Sequence, residues 1–323
     1  MSATAICSVT ALAASPGFPA DRTLLAGTGT GIHLSGDGGG NWVTLSIAIG
    51  PKRLILSPDY PTDRTLFAVT DATREWYDVL YRSVDGGVNW LPVWYGGEVH
   101  DLALSPDFAV DGTAFLAVSL FPGQILRSND FGLTWQALPD PMDLEPVQHL
   151  AVSPNFAADH TLFAAGFGPL NRSTDGGASW QRLNAASPTY SLAISPRYAI
   201  DHTLWAVYRE IEGSAIQPEA GIVRSTDGGA TWSNVTAGLD GTYNETYRSL
   251  APDPAGEALY LALTGPQWDP RFPPRIYRSD NGGQRWAPQE LLPGGAAPQQ
   301  VIAAGPLPDL FALAEGGIYR YTS

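Results

Sequence analysis

Six times the chain repeats almost the same eight-residue box: a serine, an acid (asparagine in the last copy) two residues on, a glycine two further, and a tryptophan three after that. The copies are Ser35-Asp37-Gly39-Trp42, Ser83-Asp85-Gly87-Trp90, Ser128-Asp130-Gly132-Trp135, Ser173-Asp175-Gly177-Trp180, Ser225-Asp227-Gly229-Trp232 and Ser279-Asn281-Gly283-Trp286. Successive tryptophans are 48, 45, 45, 52 and 54 residues apart. A recurrence of about 40–50 residues marks an array of like supersecondary units. It also sorts residues: what recurs is scaffold, and what interrupts the recurrence is where a specific function can sit.

Each unit is longer than its box. A short apolar run ending in Ser-Pro comes first, as in 54–58, 102–106, 150–154 and 192–196. An aromatic residue and an Asp-x-Thr follow (Tyr60, Asp63 and Thr65; Phe156, Asp159 and Thr161), then a second apolar run such as Leu66 to Val69. A third run, such as Val79 to Arg82, leads into the box, and a fourth begins at its tryptophan. Four short runs rich in β-branched and aromatic types, bounded by Gly, Pro and Asp, predict four strands per unit. No stretch holds a helical period, so the expected class is all-β. Four-stranded sheets repeated radially make a β-propeller.

Six boxes give six blades, and residues 301–323 supply three further strands without a box. The sequence therefore predicts a seven-bladed propeller of antiparallel four-stranded blades, the seventh short of its outer strand. Six blades plus an irregular closing piece is the alternative. Such rings close by lending a terminal strand to the last blade, which removes an exposed edge; only Met1 to Cys7 is there to lend. The repeat runs unbroken, so residues 1–323 are expected to form a single domain. Residues 4–14 imitate the apolar core of a secretion signal, but no Lys or Arg precedes Arg22. They align with the first strand of the other units and are expected to be structure.

The box Ser-x-Asp-x-Gly-x-x-Trp resembles the Asp-box, or bacterial neuraminidase repeat. That repeat occurs in sialidases, xyloglucanase-type glycoside hydrolases, sortilin-like receptors and photosystem II assembly factors. The resemblance covers nearly the whole chain, with five full copies and one Asp-to-Asn variant at Asn281. It implies a propeller with box turns between third and fourth strands, on the face away from an active site. It also implies an extracytoplasmic setting. Function does not follow from the fold. Physically the box suits a scaffold: Ser and Asp oxygens accept backbone N–H groups in a tight turn, Gly supplies positive φ, and Trp buries a large ring. Asp37, Asp85, Asp130, Asp175, Asp227 and Asn281 are accordingly structural. Arg82, Arg127, Arg172, Arg224, Arg278 and Arg320 recur just before the box or at its equivalent, and are expected to make a repeated inter-blade contact.

The exceptions gather between second and third strands and between blades, two sets of connections that emerge on one face. Blade 2 inserts 71–78 with Arg74, Glu75, Trp76 and Tyr77; blade 5 inserts 208–221 with Arg209 and Glu210; blade 6 inserts 265–274 with Trp268, Asp269 and Arg271. The inter-blade connections add Trp94, Tyr95, Glu98 and His100, then Tyr243, Glu245, Tyr247 and Arg248. Loops on a rigid scaffold commonly carry function, and aromatic rings beside charged groups suit a sugar or a protein surface. The expected function is non-catalytic recognition of a glycan or protein partner on this loop-rich face. The alternatives are a glycoside hydrolase of sialidase-like type and a docking subunit of a larger complex. A sialidase requires an arginine trio, a Tyr-Glu pair and an acid/base Asp. Those residue types are present, but the Phe/Tyr-Arg-Ile-Pro segment is not.

Other chemistries are excluded more directly. The five histidines show no metal-ligand spacing, and there is no phosphate loop or nucleophile elbow. No cofactor is expected. A net charge of −14, with Lys52 the single lysine among 18 basic residues, argues against nucleic acid and anionic membrane surfaces. No run approaches the ~20 apolar residues of a membrane span.

Overall fold

The computed structural model describes residues 2–3, 8–45, 50–71, 77–119, 123–140, 146–185, 188–209, 220–239, 246–264, 274–289, 292, 296–304, 309–314 and 317–321. Seven four-stranded antiparallel sheets follow one another along the chain, which is a seven-bladed β-propeller. The inner strands are Val9–Ala14, Pro51–Leu56, Glu98–Leu104, Val147–Val152, Thr189–Ile194, Thr246–Pro252 and Pro298–Ala303. Each leads outward through a second and third strand to a fourth, as Leu66–Asp71, Asp78–Ser83 and Leu91–Gly96 do in blade 2.

The second strands read as unbroken apolar runs because both of their faces are covered. Leu66 and Ala68 pack into the core shared with blade 1, and Phe67 and Val69 into the core shared with blade 3. One apolar cluster of this kind lies between every neighbouring pair, including blade 7 with blade 1. Each box tryptophan joins the cluster between its own blade and the preceding one, as Trp90 and Trp180 show.

Within the box, the Ser173 hydroxyl donates to Asp175 Oδ1 at 2.8 Å and accepts the Gly177 N–H at 2.8 Å. Asp175 also accepts the Ser179 N–H at 2.9 Å and the Ser179 hydroxyl at 2.5 Å. These bonds, the Ser179 hydroxyl first, hold its carboxyl down at about 2. Gly177 is required twice: its φ is +92°, and an added Cβ would stand 2.4 Å from Leu138 Cδ1 of the preceding blade. Asn281 repeats the arrangement as a neutral acceptor, taking the Ser279 hydroxyl at 2.9 Å and the Arg285 N–H at 2.9 Å.

A second device closes the hairpin between first and second strands in blades 1 to 5. The Ser57 hydroxyl donates to Asp63 Oδ2 at 2.5 Å, and the Thr65 N–H to Asp63 Oδ1 at 2.7 Å. Between them runs a single helical turn, Tyr60–Asp63, too short to leave a period in the sequence. Its first residue, an aromatic in every copy, is buried. The residue after the turn is left-handed; His160 and His202 hold this exposed position in blades 4 and 5. Both the hairpins and the box turns lie on the face opposite the variable connections.

The recurrent arginines divide. Arg127 Nη1 donates to Gly176 O at 3.1 Å and Arg172 Nη1 to Gly228 O at 2.9 Å, each reaching the next blade's box. Arg278 and Arg320 instead pair inside their own blades, with Asp280 at 2.7 Å and Asp309 at 2.8 Å. The expected inter-blade contact therefore holds at the first two, while for the other two the contacts among the described residues lie within their own blades.

Blade 7 does have an outer strand. Ser2–Ala3 supplies it, Ser2 lying opposite Arg320 and Ala3 opposite Tyr319. The closure is reinforced by Asp309, whose side chain is only 10% exposed and receives Arg320 from its own blade and Arg22 of blade 1 at 3.3 Å. Asp309→Ala leaves two guanidinium groups without that carboxylate, and is expected to cost about 2 kcal/mol in denaturant unfolding. In the box, Asp175→Asn keeps the Oδ1 acceptor as Asn281 does, but loses Oδ2 as acceptor for the Ser179 hydroxyl, and is expected to lower Tm less than Asp175→Ala; thermal unfolding of the pair checks this.

Candidate functional site

Every inner strand begins with a β-bulge, at Thr10, Lys52, His100, Gln148, Tyr190, Arg248 and Gln299. A bulge adds one residue and re-aims its neighbours, and at this equivalent position, at the channel end of the loop-rich face, the seven blades carry six different residue types. Thr10, Lys52, His100, Gln148 and Gln299, with neighbours such as Arg53, Glu98, Ser191 and Ser249, line a cavity of about 640 Å³.

Polar contacts tie one blade to the next around this cavity. Thr10 Oγ1 donates to Pro51 O at 2.6 Å, joining blades 1 and 2. Lys52 Nζ lies 2.7 Å from Asp78 Oδ2, and the same carboxylate accepts the Val99 N–H of blade 3. Asp101 Oδ2 accepts the Leu150 N–H of blade 4 at 2.9 Å, and Arg53 Nη1 approaches Asp101 Oδ1 from blade 2 at 3.7 Å. Asp78 and Asp101 are thus spent on cations and backbone. Glu98, at the cavity's edge, is exposed and makes no hydrogen bond or ion pair among the described residues.

Two histidines belong to this wall. His100 bonds through Nε2 to the Ser119 hydroxyl, and burial pushes its pKa below the ordinary value, against the pull of Glu98. Burial does the same to His149 beside Arg53, opposed by Asp101 and by a hydrogen bond to the Tyr190 backbone.

Aromatic pairs flank the mouth. Tyr77 and Tyr95, 42% and 59% exposed, have ring centroids 5.8 Å apart. Phe167 and Tyr190 meet edge to face at 6.5 Å over a small hollow of about 60 Å³.

Several sequence expectations change place. Trp94 and Tyr95 are not in a connection: the outer strand of blade 2 runs through Gly96, and the inner strand of blade 3 starts at Glu98, so Glu98 and His100 are channel residues. Trp94 is half-buried against the core between blades 2 and 3. Arg209 ends a strand, Leu204–Arg209, that outlasts the expected loop boundary, and Tyr247 and Arg248 belong to Thr246–Pro252. Arg74, Glu75, Trp76, Glu210, Tyr243, Glu245, Trp268, Asp269 and Arg271 lie outside the described residues. The sequence reading missed Arg53, Asp101, His149, Phe167 and Tyr190 as members of this face. Only their position in the blade, one to three residues into an inner strand or just past a second strand, could have signalled them.

No family model and no curated protein matches the chain. Among solved structures, a GH74 xyloglucanase from Xanthomonas campestris aligns over 99% of this chain and 52% of its own, with TM-score 0.73 and 16% identity. A YCF48 bound to a D1 peptide aligns over 100% and 96% at TM-score 0.66 and 17% identity. Kuenenia stuttgartiensis hydrazine synthase does so over 99% and 97% at 0.67 and 12%. The chain spans about half the length of the GH74 structures it matches, 53% and 52% of two of them. At these identities the likeness shows the class of fold, a β-propeller, and nothing of the activity.

Because His100 and His149 are neutral in the fold, the unfolded chain takes up their protons first as pH falls below about 6.5. Stability therefore drops from that pH down to the depressed folded values. Comparing Tm at about pH 7.5 and pH 5.5, His149→Gln should show a smaller loss on acidification than the wild type.

Proposed function

We propose that the chain is an Asp-box propeller of one domain that acts without catalysis, recognising a glycan or protein partner on its loop-rich face. The observation that carries this is the pair of exposed aromatic contacts, Tyr77 with Tyr95 and Phe167 with Tyr190, flanking a polar channel mouth. Tyrosine presents a large apolar area with a polar tip, and it is enriched where binding energy concentrates. Asp78 and Asp101, held by cations and backbone N–H groups, act as tethers between blades in this reading and leave Glu98 as the uncommitted carboxylate. A similar ring carries enzymes in the GH74 structures and is bound to a D1 peptide in YCF48. That breadth agrees with recognition assigned from the site and not from the fold.

The test is a thermal-shift screen against mono- and oligosaccharides, with xyloglucan fragments and sialic acids included. A ligand at a hundred times its Kd adds about 2.7 kcal/mol. One sugar class is expected to raise Tm, and Tyr95→Ala to abolish the rise. Silence across the panel rejects the glycan and assigns the face to a protein. Turnover of any glycoside, lost in Glu98→Gln, would replace this reading with a hydrolase.

A further inference from the structure

The cavity at the channel mouth carries its own charge pattern, independent of the aromatic pairs. Lys52 is neutralised by Asp78 at 2.7 Å, with Asp71 a further 3.4 Å contact. Arg53 is held far more loosely. Its one ion pair among the described residues is at 3.7 Å, beyond hydrogen-bond length. Asp101 has meanwhile given its oxygens to the N–H groups of Leu102 and Leu150. A guanidinium has five donors, and this one is 43% exposed. Glu98 lines the same cavity, acts on the neighbouring His100 only through its field, and makes no hydrogen bond or ion pair among the described residues, Arg53 included.

The wall therefore presents one under-used cation and one unpaired anion, not bonded to each other. The described side chains that line the cavity from blades 5 to 7 are uncharged, among them the hydroxyls of Ser191 and Ser249 and the amide of Gln300, which also lack protein partners among the described residues. Charges aligned this way favour a ligand of complementary pattern. A simple anion would gain from Arg53 and be opposed by Glu98, and a simple cation would suffer the reverse. A ligand bearing both charges satisfies both, and hydroxyls and an amide suit its remaining polar atoms. About 640 Å³ lies within the range of small-molecule sites.

We propose that the channel mouth is a binding site for a small zwitterion of the α-amino-acid class, its carboxylate on Arg53 and its ammonium on Glu98. The ligand docks noncovalently, and the site is distinct from the partner face. The two can fail separately, since this one is read through Arg53 and Glu98 and the other through Tyr95.

The experiment titrates the purified chain with the neutral amino acids serine and glutamine by calorimetry, beside two half-ligands, lactate for the anion and ethanolamine for the cation. At least one amino acid is expected to bind at least tenfold more tightly than either half-ligand. Glu98→Gln should erase the advantage over lactate while leaving the unliganded Tm nearly unchanged, because the Glu98 side chain makes no hydrogen bond or ion pair among the described residues. Arg53→Gln should erase the advantage over ethanolamine. No heat with either amino acid at millimolar concentration overturns the proposal. So does tighter binding of lactate than of the amino acids, or an amino-acid affinity indifferent to Glu98→Gln.

Discussion

A four-stranded blade here has two apolar faces and can cover neither by itself. Leu66 and Phe67 are adjacent in one strand, yet they belong to cores on opposite sides of their sheet. A blade freed of a neighbour would expose one of these faces to water, as would each end of an unclosed row. Closing the ring leaves no such face over. The box serves this need at the six interfaces that have one: its glycine packs against the preceding blade, as Gly87 does on Leu45 and Gly177 on Leu138, and its tryptophan fills the gap between sheets.

Where the ring meets itself, packing is supplemented by charge. The strand supplied by Ser2–Ala3 contributes only two paired residues, so Asp309 and its two arginines, one from each side of the seam, carry much of the directional contact there. Elsewhere, joints between blades use the backbone as partner. Arg127 and Arg172 reach box carbonyls, and Asp78 and Asp101 take amides from the next inner strand.

The scaffold was legible in the sequence because it is periodic. Ser, Asp, Gly and Trp return at fixed spacing, and the seven-blade count followed from them together with the three strands after the last box. The channel mouth was not legible, for the opposite reason. Thr10, Lys52, His100, Gln148 and Gln299 hold equivalent bulges but only the two glutamines share a residue type, so no pattern recurs to be noticed. Pairs such as Arg53 with Asp101 join different blades and leave no local spacing. The loop residues that stood out by composition drew attention outward, toward Arg74, Trp76 and Trp268. The described polar cluster instead lies on the first turns of pleat facing the axis.

Lys52 is the only lysine in the chain, and its amine sits in the channel against Asp78. Every other cationic side chain, histidine apart, is an arginine, which neither acylates nor forms imines under conditions where lysine does. The outer surface of this propeller is consequently blank to lysine-directed chemistry. Acetylation, ubiquitin attachment and amine-coupling reagents have one side-chain target, and it opens onto the axis of the ring.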